Sequence, residues 1–197
     1  MEITEHIINS KYDFIQGYYF NDNSITDGVI EHFNKQPNKL LGMTGNGQVD
    51  KTVKDSLDLA IHTQEIQFYP PIVKYCDYLK KCLKLYGTKY PMCFERTAAW
   101  HITEPINIQK YKPGQGFHQW HCEKSSLSCI RRHLVFMTYL NDVKKGGETE
   151  FYHQKLKIKP EKGLTVIWPT DWTYLHKGHT TIDEDKYIIT GWYNFTK

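Results

Sequence analysis

The hydrophobic pattern of this chain changes period near Phe94, and that change constrains its fold more than any other feature. Before it, apolar residues recur every three to four positions. Ile25, Val29 and Phe33 predict a helix over about 25–34, with Ser24 and Asp27 at capping-box spacing. Val53, Leu57 and Ile61 predict a second helix over about 51–60. Ile72, Cys76, Leu79 and Leu83 predict a third from Pro70 to Leu85, opened by Pro70 and Pro71 and closed by Gly87. Asn38 to Gly47 carries Gly42, Gly45 and Gly47 and reads as a mobile loop. After Phe94 come Ile106–Tyr111, His133–Leu140, Leu164–Trp168 and Tyr187–Tyr193, short runs rich in β-branched and aromatic residues. Each is bounded by turn signals: KPGQG, NDVKKGG, PTD and DED. Short strands in series predict a barrel or a two-sheet jelly roll, with the earlier helices covering one sheet. The expected class is α+β with a mainly β core.

Length and charge narrow the function classes. A chain of 197 residues is expected to be one domain (1–197), with helical support over about 1–93 and the β core over about 94–197. No apolar run approaches the roughly 18 residues of a membrane span, and the polar N-terminal segment does not read as a secretory signal. The formal net charge of +3 is dispersed, which argues against a nucleic-acid partner. The cysteines Cys76, Cys82, Cys93, Cys122 and Cys129 are odd in number and form no Cys-x-x-Cys pair. Free thiols in a reducing compartment, and so a cytoplasmic location, are expected.

The chemistry concentrates at His121-Cys122-Glu123. On a strand, residues i and i+2 share a face, so His121 and Glu123 can aim a ring nitrogen and a carboxylate at one point. That pair is two thirds of the 2-His-1-carboxylate triad that holds non-haem Fe(II) with open positions. The third ligand must come from another strand. His176, following the run Leu164–Trp168, is the candidate. His118, His133, His153 and His179 are rivals by composition, and Cys122 would face away from its neighbours. Lys186, opening the last strand, could anchor the distal carboxylate of a dicarboxylate.

From about Gln109 to Phe195 the chain resembles the prolyl 4-hydroxylase-like Fe(II)/2-oxoglutarate-dependent dioxygenases. The stretches that carry the resemblance are YKPGQGFHQWHCE, RHLVFMTYLNDVKKGGETEF, KPEKGLTVIW and LHKGHTTIDEDKYIITGWYNF. The resemblance implies a double-stranded β-helix (jelly roll) flanked by N-terminal helices. It implies His121, Glu123 and His176 as iron ligands. It also implies Lys186 at the distal carboxylate of 2-oxoglutarate, with Tyr139 assisting and Tyr111 lining the same pocket. Arg132 and Trp192 match substrate-facing positions, while Thr149 and Phe151 build the fold. One departure stands out: Glu123 occupies a position where this branch usually has Asp.

The implied reaction uses Fe(II), 2-oxoglutarate and O2 to hydroxylate an unactivated C–H bond, releasing succinate and CO2. The implied substrate is a prolyl residue of a peptide or protein. A free amino acid or another small metabolite, and a cupin-like metal-binding protein without 2-oxoglutarate, remain open. Gly42–Asp55 is a candidate lid, with a second loop at Lys124–Ile130.

Overall fold

A computed structural model describes residues 3–6, 14–45 and 47–196. Asn46, in the candidate lid, and residues 1–2 and 7–13 of the polar N-terminal segment lie outside them. The first half contributes β1 (Ile3–His6), β2 (Gln16–Phe20), α1 (Asn23–Lys35), β3 (Leu40–Leu41), β4 (Leu57–Ile61), α2 (Pro70–Lys89) and α3 (Met92–Glu95). The second contributes β5 (Trp100–Ile102), β6 (Ile106–Tyr111), β7 (Phe117–His121) and β8 (Arg132–Tyr139). It continues through β9 (Thr149–Phe151), β10 (Leu156–Ile158), β11 (Leu164–Pro169), β12 (His176–Gly178) and β13 (Lys186–Phe195).

Among the described residues these strands form two antiparallel sheets. The larger runs β1-β2-β11-β8-β13-β6-β4-β3, with β5 paired to β13, and the smaller runs β10-β9-β12-β7. Alternation along β8 explains the layering. Leu134 and Phe136 point to a core that holds Ile25, Val29 and Phe33 of α1 and Ile72, Tyr75 and Leu79 of α2. Val135, Met137 and Tyr139 point the other way, to a core closed by Phe151 and Ile158 of the smaller sheet. Helices, large sheet and small sheet thus stack as a jelly roll with helical cover. No helix among the described residues is long and apolar enough to cross a membrane, and all five cysteines are free.

Four local expectations need correction. The segment expected as a helix over 51–60 contains β4, which pairs with β6. Leu57, Leu59 and Ile61 alternate with Asp58 and Ala60, and residues four apart share a face on a strand as well as on a helix. The Asn38–Gly47 segment is not all loop, because β3 pairs with β4. The cap of α1 is Asp22, whose Oδ1 accepts from Ser24 N at 3.0 Å, while Asp27 pairs with Lys162 at 2.6 Å. Finally, α2 runs through Gly87 to Lys89, with Gly87 making room for the Phe94 ring.

Candidate active site

The smaller sheet brings the site together. β12 pairs with β7 so that His176 lies opposite His121. Glu123 follows two residues after β7 ends, so its approach depends on the chain turning there rather than on strand alternation. Nε2 of His121 lies 3.7 Å from Glu123 Oε1, and Nε2 of His176 lies 3.2 Å from the same oxygen. One donor atom from each of the three residues falls within 4.8 Å of the others. Bonds of roughly 2.0–2.2 Å to a first-row metal ion would fit such a cluster.

The local hydrogen bonds prepare these donors. His121 Nδ1 meets the Gln119 carbonyl at 3.0 Å, and His176 Nδ1 meets the Tyr174 carbonyl at 2.9 Å. With Nδ1 donating, each Nε2 is the atom turned to a metal, and His176 Nε2 also lies within hydrogen-bond distance of Glu123 Oε1, a contact that a metal ion would replace. Burial and the neighbouring His176 push the His121 pKa down to about 3, so the ring is neutral. Burial alone would raise the Glu123 carboxyl. The His176 hydrogen bond and the charges around it, Arg132 among them, outweigh burial and hold it at about 2.

The triad opens on a cavity of about 830 Å³. At its closed end the lining includes Tyr111, Met137, Thr149, Trp168, Lys186 and Ile188, all buried. At its open end it includes Leu40, Leu41 and Met43, which are 63%, 48% and 50% exposed. Lys186 is 3% exposed and donates to the Gly147 carbonyl at 3.1 Å. No carboxylate of the described residues forms an ion pair with it. Gly147 and Gly146 both sit at φ 75°, a conformation that glycine alone adopts freely, and this turn presents that carbonyl.

The sequence-derived site residues divide. Tyr111 lines the closed end, its ring 4.6 Å below Lys186 Nζ and its hydroxyl donating to Gln109 Oε1 at 2.8 Å. Tyr139 does not line the cavity. Its hydroxyl donates to Thr149 Oγ1 at 2.6 Å and to the Ile158 carbonyl at 3.2 Å, so Thr149 stands between it and the pocket. Arg132 and Trp192 line the cavity but turn toward Glu123. The rival His179 is held by Glu150 at 2.6 Å, and His118 is exposed. Within the candidate lid, Lys54 bridges to Phe117, and His118 N donates to the Val53 carbonyl at 2.8 Å, which ties that end to β7.

Two participants carried no sequence signal. Glu104, in a turn before β6, grips Arg132 through three contacts of 2.6–3.2 Å. Trp168 reads as a core aromatic, yet it lines the cavity beside His176, and its buried indole N–H has no acceptor among the described residues.

Comparison with known proteins agrees with this geometry. Residues 106–194 match the family model of the 2OG-Fe(II) oxygenase superfamily. A search of curated proteins finds no match. Among solved structures, a viral collagen prolyl hydroxylase from Paramecium Bursaria Chlorella virus-1 in complex with 2OG is similar, with TM-score 0.68 and 20% identity, over 94% of this chain and 98% of that one. A prolyl-4-hydroxylase of Pseudomonas putida has TM-score 0.68 and 13% identity, over 93% of each chain. A Trichoplax adhaerens prolyl hydroxylase in complex with a hypoxia inducible factor peptide fragment has TM-score 0.72 and 18% identity, over 93% of this chain and 84% of that one. These likenesses show the fold.

The residues present fit the groups this chemistry needs. A donor set of two imidazole nitrogens and one ionised carboxylate suits Fe(II). A buried ammonium without a carboxylate partner and an indole N–H without an acceptor suit an anion with more than one oxygen. Over residues 106–194 the chain thus carries the sequence pattern of the 2OG-Fe(II) oxygenase superfamily, whose chemistry draws on Fe(II), 2-oxoglutarate and O2, and the His121, Glu123 and His176 cluster lies within that stretch.

Proposed function

We propose that the chain hydroxylates a prolyl residue of a peptide or protein, with His121, Glu123 and His176 holding Fe(II). The observation that carries this reading is the cavity at the triad, whose lining joins the buried Lys186 and Tyr111 to the exposed Leu40, Leu41 and Met43. When bound, Fe(II) would activate O2, the oxidant, with 2-oxoglutarate supplying two electrons, so that one oxygen atom goes to the C–H bond and the other to succinate as CO2 leaves. The chain supplies position. Lys186 holds the distal carboxylate as a buried cation, over the Tyr111 ring. His121 and His176 keep their Nε2 atoms aimed inward through their Nδ1 hydrogen bonds. Buried Met137, Trp168 and Ile188 keep water from the closed end. Leu40, Leu41 and Met43 offer apolar contact to residues flanking the target. This arrangement suits an extended peptide lying across the mouth. The whole chain acts as one domain, residues 1–93 supporting the catalytic β core of 94–197. Five free thiols suit a reducing, cytoplasmic setting.

The test is to incubate the enzyme with Fe(II), 2-oxoglutarate and a panel of proline-containing peptides, following succinate release and peptide mass. Peptide-stimulated succinate and one added oxygen on a prolyl residue are expected. Stimulation by a free amino acid and by no peptide would move the substrate to the small-metabolite class.

A further inference from the structure

We propose that Glu104, Arg132 and Trp192 form a frame that positions Glu123 as a metal ligand, and that the frame is matched to a glutamate rather than to the shorter aspartate. The inference rests on the reading that the triad binds metal. It comes from how the two carboxylate oxygens are used. Oε1 faces the two histidines, at 3.7 Å from His121 Nε2 and 3.2 Å from His176 Nε2. Oε2 faces the other way, accepting from Trp192 Nε1 at 3.0 Å and from Arg132 Nη1 at 3.4 Å. Arg132 Nη1 also donates to the Glu123 carbonyl at 3.2 Å, so both ends of this residue are held.

The guanidinium is itself fixed. Its Nε donates to Glu104 at 3.0 and 3.2 Å, and its Nη2 donates to Glu104 Oε2 at 2.6 Å. Its plane lies over Trp192, with Cζ 3.6 Å from the ring centroid. An arginine fork can bind a carboxylate through two parallel bonds. Unrestrained, Arg132 could take both Glu123 oxygens and compete with a metal for them. Glu104 occupies the Nε–Nη2 edge, so only Nη1 reaches Glu123, and Oε1 is left for the metal. An aspartate at this position would be shorter by one C–C bond, about 1.5 Å. It could not reach the histidine side and the Trp192 side together. Arg132 and Trp192 therefore act here as positioning residues for the ligand, whereas family likeness had them facing substrate.

The test uses Co(II) as the probe, titrated into apoprotein and read from its visible d–d bands, which need no turnover. Wild type, Glu123→Asp, Trp192→Phe and the Glu123→Asp/Trp192→Phe double variant are compared, each checked by circular dichroism and melting temperature. If Trp192→Phe does not fold, Glu104→Gln replaces it in both roles. Each single variant is expected to weaken Co(II) binding about 10–100-fold. The double variant should be no weaker than Glu123→Asp alone, because the shorter side chain has already lost its Trp192 contact. Wild-type affinity in Glu123→Asp, or losses that simply add in the double variant, would overturn the frame. Wild-type bands that never form, or that survive His176→Ala, would overturn the metal reading itself.

Discussion

Burial lowers the Lys186 ammonium pKa to about 8, against a smaller opposing effect of Glu148. Between pH 8 and the ordinary lysine value the unfolded chain keeps a proton that the folded apoprotein has released. Stability of the apoprotein therefore rises with pH through that window. Anchoring a carboxylate needs the charged form, so co-substrate affinity runs the opposite way. The Kd for 2-oxoglutarate, measured anaerobically by calorimetry, should rise roughly tenfold from pH 7 to pH 9. Lys186→Arg should flatten the profile, since a guanidinium does not titrate there. A flat profile in the wild type would remove Lys186 from the anchor. The role of this lysine is suggested by its place in the sequence relative to His176, and the triad by His-x-Glu spacing. The use of Arg132 and Trp192 was not legible, because it depends on Glu104. That residue lies 28 positions before Arg132 in the sequence, and only the folded turn brings the two together.

Elements rich in apolar residues were legible, and elements that carry the chemistry were not. β6 matches its expected span, and β8, β11 and β13 fall within two residues of theirs. β7 and β12 read FHQWH and HKG, so polar site residues erase the alternation that marks a strand. Their pairing is nevertheless what sets His121 opposite His176. Phe151 on β9 backs this pairing. It is fully buried, its ring is 5.4 Å from Trp168 and 5.6 Å from His176, and β9 pairs with β12. Phe151→Ala should cost about 3–5 kcal/mol in urea unfolding and weaken metal binding as His176 loses its support. Loss of stability with unchanged metal affinity would show that the strand pairing alone holds the histidine.

At the scale of the molecule, two cores share one sheet. The first half supplies more than helical cover, because β2 pairs with β11 and β4 with β6, inside the large sheet. Composition and period pointed to helices there, since the long amphipathic α2 dominates the pattern. A fragment of residues 94–197 would expose Leu134, Phe136, Ile108 and Ile189 and leave two strand edges bare. It should aggregate or bind a hydrophobic dye, and it should bind no metal. A folded, metal-binding fragment would show that the first half is dispensable to the site. The proposed ligands come from β7, the segment after it and β12, and Lys186 from β13, so the site tests the whole arrangement. The most direct measurement is an anaerobic titration of the apoprotein with Fe(II) and then 2-oxoglutarate, watched in the visible spectrum. A weak charge-transfer band that needs both additions and disappears in His176→Ala is expected. Tight metal binding with no such band would contradict a site in which 2-oxoglutarate chelates iron beside His121, Glu123 and His176.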